Sequence, residues 1–303
     1  MISVIIPTYN RAAFIADAVH SVMNQTRRDL EVIVADDGST DETAEIVGRL
    51  GSSVTFVPLQ HRGLPAIARN AGLRAARGEL IAFLDSDDVY LSNKLELQAT
   101  ALEAQPDLGM VYSNARFFRE NSSEPAGYVL DGLPSPSGHV FAELLRGNFL
   151  STPIVLIRRS CLAAVGFFDE RADFFAVEDY DLWLRIAAQY PVLFVPGEVA
   201  AIRRHSQSIS RDVVVLRTRV LRVLEKMDAL YPNLVRQYSS ARHEAYARSY
   251  GAIALAEMQQ GGVFSGFRHG LAALSHTLRM PGLGMKEFAA WWRRRRLRSA
   301  SRP

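Results

Sequence analysis

The chain has 303 residues and 48% hydrophobic content, enough for one large α/β domain with an appendage around a substantial core, which excludes a disordered body. Its single cysteine, Cys161, excludes an intramolecular disulfide and fits a reducing compartment; in "RRSCLAAVG" it reads as a small buried hydrophobe on a short helix. Net charge is +3, but "WWRRRRLRSASRP" alone carries six arginines, so the remainder is −3 and the body has no nucleic-acid footprint.

The opening "MISVIIPTYN" lacks the basic start of a signal peptide, and no apolar run approaches the roughly 18 residues needed to cross a bilayer. The expected place is the cytosol. Strand and helix signals then alternate. "SVIIPT" precedes a helix over Ala12 to Gln25, "LEVIVAD" one over Asp41 to Leu50, and "VTFVPL" one over Leu64 to Ala76, before the strand "ELIAFLD". Continuous apolar strands separated by amphipathic helices predict a mostly parallel, Rossmann-like sheet covered on both faces. Ligands bind such sheets beyond the carboxyl ends of the strands, where this chain sets "PTYN", "DDGSTD" and "DSDD".

Beyond Asp88 the pattern changes. It predicts a helix over Ser92 to Ala104, a strand "GMVYSN", and hairpins or a loop in "NSSEPAGYVLDGLPSPSG". "STPIVLIRR", a helix near "EDYDLWLRIAAQY" and separate strands "VLFVP" and "EVAAIRR" follow. From about Asp212 the periodicity is helical only, which gives two expected domains: residues 1–210 with the sheet, and residues 211–303, helical with a basic tail.

Three carboxylates, Asp85, Asp87 and Asp88, lie within four positions at the tip of a buried strand. Like charges so close raise one another's pKa, so such a site usually neutralises them with a cation or uses one as an acid or base. In "VIVADDGSTD" Asp36 and Asp37 end a strand, and Gly38 permits a turn into a helix capped by Ser39 or Thr40. "VEDYDLWLR" opens a helix with Leu182, Trp183 and Ile186 facing the core, which leaves Glu178 and Asp179 in the first turn, where acidic residues are also favoured as plain capping groups.

Taken in order, "SVIIPTYNR", "EVIVADDGSTDET", "ARNAGLRAARGELIAFLDSDD", "GFFDE" and "EDYDLWLR" resemble the inverting glycosyltransferases of family 2, which have the GT-A fold. The resemblance covers roughly residues 1 to 205. It implies transfer of a sugar from a nucleotide-diphosphate sugar, a UDP-sugar by preference, to a hydroxyl of a glycan, glycolipid or other acceptor in cell-surface polysaccharide or glycolipid synthesis. By the same resemblance Asp37 accepts the N–H of a uracil-like base, Pro7 and Tyr9 shape the base pocket with Asn10 at its edge, and Arg69 lies near the phosphates, the alternative for Arg69 being a surface arginine on a helix. Asp87 and Asp88 contact the ribose and an Mn²⁺ or Mg²⁺ ion, with Asp85 at the margin and His205 near the diphosphate and metal. Asp179, after Glu178, is the general base. Mg²⁺ and Mn²⁺ take hard oxygens and only one or two protein carboxylates, which suits "DSDD".

Two other readings compete. "FLDSDDVY" formally contains the DxD phosphatase pattern with Asp85 as nucleophile, although it follows the fourth strand where such motifs follow the first. A non-catalytic, glycosyltransferase-like binding subunit is the other; the carboxylates at every metal and base position speak against it. A dinucleotide-dependent oxidoreductase fails for want of GxGxxG after the first strand. At the tail, Met285, Phe288, Ala289 and Trp292 recur at helical spacing beside Trp291 and run into the arginines. That is the composition of an interfacial helix at the cytoplasmic face of a membrane, or of a solvated basic end.

Overall fold

The computed structural model of the chain describes residues 1–51, 53–119, 125–204 and 212–280. The first part alternates: β1 (Ile2–Thr8), α1 (Ile15–Met23), β2 (Leu30–Asp36), α2 (Thr43–Arg49), β3 (Val54–Pro58), α3 (Pro65–Ala75) and β4 (Leu80–Phe83). β5 (Val89–Tyr90), α4 (Lys94–Glu103), β6 (Met110–Phe118) and α5 (Phe141–Arg146) follow. A 3-10 turn over Thr152–Ile154 leads into β7 (Val155–Arg158), then α6 (Arg159–Val165), α7 (Glu178–Ala187) and β8 (Val192–Arg203). Four helices end the described chain: α8 (Val213–Leu230), α9 (Pro232–Gln237), α10 (Ser239–Gln259) and α11 (Val263–Leu278).

The described strands form one sheet in the order β3-β2-β1-β4-β7-β6-β8-β5. β1 lies parallel to both β2 and β4, and β2 parallel to β3, as continuous apolar strands with helical crossovers require. All of β1 is buried, and Ile81, Ala82 and Phe83 of β4 are fully covered, so the strands beside which the site forms lie in the core of the sheet. Beyond β4 the sheet is mixed: β7 is antiparallel to β4 and to β6, while β8 runs parallel to β6.

Two differences from the sequence pattern have local causes. "VLFVP" and "EVAAIRR" form a single strand, β8, because a register shift opposite Tyr112 and Asn114 absorbs Pro196 and Gly197 within it. The α2 helix starts at Thr43, later than expected, and neither Ser39 nor Thr40 caps it. Instead the Asp41 carboxylate accepts from Thr43 N at 3.0 Å, which frees Ser39 and Thr40 for the neighbouring loop. Cys161 lies in α6, 1% exposed, and burial pushes its thiol up to about 11, so it acts as a core hydrophobe.

The chain divides into two compact units, Met1–Leu144 with Asn148–Ile209, and Leu145–Gly147 with Ser210–Pro303. No described helix is long and apolar enough to cross a membrane.

In the first unit α3 presses closely on β1. Gly72 allows this, since an added Cβ would overlap Ile5 Cγ2. A Gly72→Ala chain is therefore expected to lose about 1–3 kcal/mol, the usual cost of overpacking, read as a lower thermal and denaturant midpoint than the parent's. An unchanged midpoint would show that the contact yields at no cost.

Candidate active site

The carboxyl ends of β1, β2 and β4 point to one edge of the sheet, and the loops that leave them are tied together. Asn10, just past β1, takes the left-handed conformation (φ 49°), one that asparagine tolerates better than most residues. Its backbone N–H donates to Ser39 Oγ at 2.8 Å, and its Oδ1 accepts from Thr40 N at 2.8 Å. Arg11 N and Ala12 N donate to Thr43 Oγ1 and Asp41 Oδ2. The "PTYN" and "DDGSTD" loops are thus one hydrogen-bonded body. Gly38, at φ 79°, lies where a Cβ would come within 2.9 Å of His61 N, so glycine lets the "DDGSTD" turn approach the loop that follows β3.

Asp36 and Asp37 are both buried and serve different partners. Asp36 Oδ1 accepts from Ser39 Oγ at 2.5 Å, which closes the turn. Asp37 Oδ1 accepts from Arg62 N at 3.0 Å, and Oδ2 accepts from Gly63 N at 2.8 Å with His61 Nδ1 3.0 Å away. The His61 ring stacks on Tyr9, centroids 4.1 Å apart and planes within 18°. Pro7 is buried in β1, and Tyr9 is 38% exposed at its end. Tyr9 and Asp37 are therefore joined through His61, a residue that the sequence had not marked, with Asn10 tied to the turn after Asp37 and Pro7 in the strand before Tyr9.

A second cluster is built on Arg69, which is buried and not a surface arginine. Its Nη1 donates to Glu178 Oε1 at 2.6 Å and its Nη2 to Asp85 Oδ1 at 2.9 Å, with the Phe168 ring 5.5 Å from the guanidinium. Burial opposes its charge, but the two carboxylates outweigh this and hold it firmly protonated. The next residue, Asn70, brackets the "GFFDE" segment: its Nδ2 donates to Phe168 O and to Glu170 Oε1, and its Oδ1 accepts from Phe168 N. In α7, Arg185 pairs with the buried Asp181 and donates to the carbonyls of Val165, Gly166 and Phe167. "ARNAG", "GFFDE" and "EDYD" are bolted together through these bonds.

Within "DSDD" the three carboxylates have separate environments. Asp85 Oδ2 also accepts from Thr152 Oγ1 at 3.1 Å. Asp87 lies 3.6 Å from Arg11 Nε. Asp88 is 4% exposed; its Oδ1 accepts from Arg203 N at 2.8 Å, and burial, aided by the charges of Asp85 and Asp87, pushes its carboxyl well above the usual range. Arg11 ends the "SVIIPTYNR" motif, whereas Thr152 and Arg203 carry no motif of their own, and only the fold brings them to these carboxylates.

Glu178 and Asp179 begin α7, yet neither caps it, since the N-cap is Val177 and has no side-chain cap. Glu178 turns to Arg69, and its Oε2 has no hydrogen-bond partner among the described residues. Asp179 is half-buried, accepting from Tyr180 N at 2.6 Å and from Asn148 Nδ2 at 3.4 Å. Burial first, then the Glu178 charge, pushes Asp179 up to about 7 despite the opposing pull of Arg69. A carboxylate poised there can exchange a proton at neutral pH.

Among the described residues no three or more His, Cys, Asp or Glu side chains converge as a self-sufficient metal cage. Mg²⁺ and Mn²⁺ do not need one, because they take one or two carboxylates and complete their shell with phosphate oxygens and water. The hard-oxygen donors fit such an ion, and so does the buried Asp88, whose carboxyl is pushed up by burial and the neighbouring carboxylates more than Arg203 pulls it down; a cation would favour its ionised form. His205 lies outside the described residues, as do residues 281–303 of the tail.

The family model for glycosyl transferase family 2 matches residues 3–164, a span that holds every site residue from Pro7 to Asp88. The chain belongs to glycosyl transferase family 2. An uncharacterized glycosyltransferase of Rickettsia conorii is 31% identical over 206 residues, 67% of this chain but 32% of its own length, so the chain spans about a third of that relative. The Escherichia coli UDP-Glc:alpha-D-GlcNAc-diphosphoundecaprenol beta-1,3-glucosyltransferase WfgD is 30% identical over 187 residues, 61% of this chain and 69% of its own. In fold, the chain superposes on Staphylococcus aureus TarS 1–349 in complex with UDP-GlcNAc with a TM-score of 0.59 at 17% identity, covering 93% of each chain. It also superposes on the Pyrobaculum calidifontis mannosyltransferase PcManGT in complex with GDP-Man and Mn²⁺ with a TM-score of 0.58 at 21% identity, covering 92% of this chain and 87% of that one. These two likenesses establish a GT-A glycosyltransferase fold.

Replacing Glu178 by Gln tests the electrostatics of this family 2 site. It removes the like charge beside Asp179, and loss of a like charge favours the ionised form. The Asp179 titration is therefore expected to move down from about 7, followed by carbon NMR of labelled aspartate carboxyls; an unmoved or raised value would show that burial alone sets it.

Proposed function

We propose that the chain is a metal-dependent, inverting glycosyltransferase that moves a sugar from a UDP-sugar to a hydroxyl acceptor, in the cytoplasm, during cell-surface polysaccharide or glycolipid synthesis. The observation that carries this reading is the single hydrogen-bonded line from Asp85 through Arg69 to Glu178, with the buried Asp88, its carboxyl pushed well above the usual range, beside one end and Asp179, pushed up to about 7, beside the other. In this reading the Asp88 end would take a cation and the Asp179 end would supply the base. Relatives whose names specify a diphosphoundecaprenol-linked acceptor and a UDP-glucose donor support a lipid-linked acceptor here too.

In this reading Asp37 accepts the N–H of the base, since a carboxylate has lone pairs beyond those used by the 61–63 loop. Pro7 and Tyr9, with His61 against the ring, bound the base, and Asn10 holds the loop. Asp87 and Asp88 would hold the ribose and a divalent ion, with His205 as a further candidate ligand; such an ion, when bound, would supply positive charge at the diphosphate. Arg69 serves the phosphate end through Asp85, which it fixes. Asp179 takes the acceptor hydroxyl's proton as that oxygen attacks the anomeric carbon opposite the diphosphate, and a single displacement inverts the centre. Domain boundaries at 1–210 and 211–303 separate this chemistry from a helical region whose basic tail contacts the cytoplasmic face of a membrane.

Asp88→Asn is expected to leave a folded protein that has lost Mn²⁺-dependent binding of the nucleoside diphosphate, measured by calorimetry; unchanged affinity would remove Asp88 from the site.

Asp179→Asn should bind the donor normally and transfer at least about 100-fold more slowly. Because the base must be ionised, the parent's transfer rate should climb with pH through about 7 and then level, a limb the variant lacks. Near-normal turnover in the variant would reduce Asp179 to a structural group. The same assay, run on free phosphate esters, would reveal the phosphatase alternative.

A further inference from the structure

The last described helix is covered on one side only. α11 packs on α10 through Gly266, Ala273 and Thr277, fixed by His269 against Glu257 at 2.7 Å and by His276 stacked on Tyr246 at 4.7 Å. On its outer side Phe264 is 86% exposed, Phe267 58%, Leu271 52% and Leu278 67%. At 100° per residue these four fall, with Val263, within an arc of about 100°, a continuous apolar stripe along the length of the helix. Scattered exposed hydrophobes need no explanation, but a stripe of this regularity does.

The charge of this end of the sequence points to what covers it. From Val263 to Pro303 the chain has nine Lys or Arg against a single acidic residue, Glu287, a net charge of +8, while everything before Val263 sums to −5. The helix itself has no carboxylate, and Arg268 flanks the stripe. A second copy of the chain would bring the same positive charge to the interface and be repelled. An anionic lipid surface offers the complement to both features: apolar depth for the rings and leucines, and negative headgroups for the arginines.

We propose that the exposed face of α11 is a lipid-docking surface, lying in the plane of an anionic membrane with Phe264, Phe267, Leu271 and Leu278 inserted at headgroup level. This deepens the membrane contact proposed for the tail and rests on that reading: it adds a formed amphipathic helix that precedes the arginine run in sequence.

Flotation of the full chain with phosphatidylcholine vesicles, with and without phosphatidylglycerol, tests it against a full chain carrying Phe264→Ser and Phe267→Ser. Circular dichroism and the thermal midpoint confirm that this variant is folded, and sedimentation gives the oligomeric state of both. The unsubstituted chain should float with the anionic vesicles alone, and the double variant should bind at least about tenfold more weakly, because it loses the apolar anchor and keeps every arginine. Equal flotation of both proteins would overturn the role of α11 and leave binding to the tail. No flotation of the unsubstituted chain would overturn the two together. A dimer that the double variant dissolves would assign the stripe to a second copy instead.

Discussion

One buried guanidinium sets the geometry of the catalytic unit. Arg69, 6% exposed, is tolerated there only because two carboxylates neutralise it, and the planar fork lets it reach both at once. Asp85 follows β4 and Glu178 opens α7, 109 positions after Arg69 in sequence, and the shared guanidinium holds the two carboxylates at a fixed distance in space. The rest of the cluster follows. α3 must sit close enough to β1 to deliver the arginine, which Gly72 permits, and "GFFDE" must be held by Asn70 and Arg185 so that Phe168 covers the ion pair.

The two acidic clusters look alike in sequence and are treated oppositely by the fold. Asp36 and Asp37 receive a hydroxyl, backbone N–H groups and an imidazole, a set of donors that satisfies a carboxylate without a cation. Asp88 is buried, receives one backbone N–H and faces two neighbouring negative charges, which together push its carboxyl well above the usual range. Asp179 is caught between a repelling Glu178 and an attracting Arg69, and comes to rest near neutrality. Composition alone could not separate these cases, because the difference lies in which donors other loops supply.

This marks how far the sequence can be read. The alternation from β1 to β4 and the gathering of "PTYN", "DDGSTD" and "DSDD" at one edge were legible, because period and strand order act locally and the crossover rule then fixes which loops meet. The helical end beyond Asp212 was legible for the same reason, with Pro232 at the first position of α9. Arg69 was visible as a residue but not as a bridge, since its partners come from two other elements. His61, Thr152, Asn148 and Arg203 had no signal at all: each contributes a single donor or ring, and nothing in the neighbouring sequence requires it. The exposed stripe of α11 was hidden for another reason, because a helical pattern says which residues share a face but not whether a neighbour covers it.

The change from parallel to antiparallel pairing beside β4 has a chemical consequence. A parallel neighbour would bring its own carboxyl end to the crevice, whereas β7 brings its amino end, so the residues that enter it arrive at Asp85. The pairing of Leu80 with Arg158 and Ala82 with Leu156, carried on along both strands, sets the Thr152–Ile154 turn opposite Asp85, where Thr152 Oγ1 donates to it. A single hydroxyl can hold a carboxylate only if its own backbone is fixed. Lys94 and Gln98 supply that from α4: Lys94 Nζ donates to Val155 O at 3.1 Å, and Gln98 Nε2 to Ile154 O at 2.7 Å. Lys94 is fully buried, set over the Tyr90 ring at 4.7 Å, and burial pushes its amine well below the usual range. Tyr90 in turn donates to Phe83 O, two residues before Asp85. A polar cluster without a motif thus braces both sides of Asp85 from beneath, so that Arg69 meets a carboxylate already held in place.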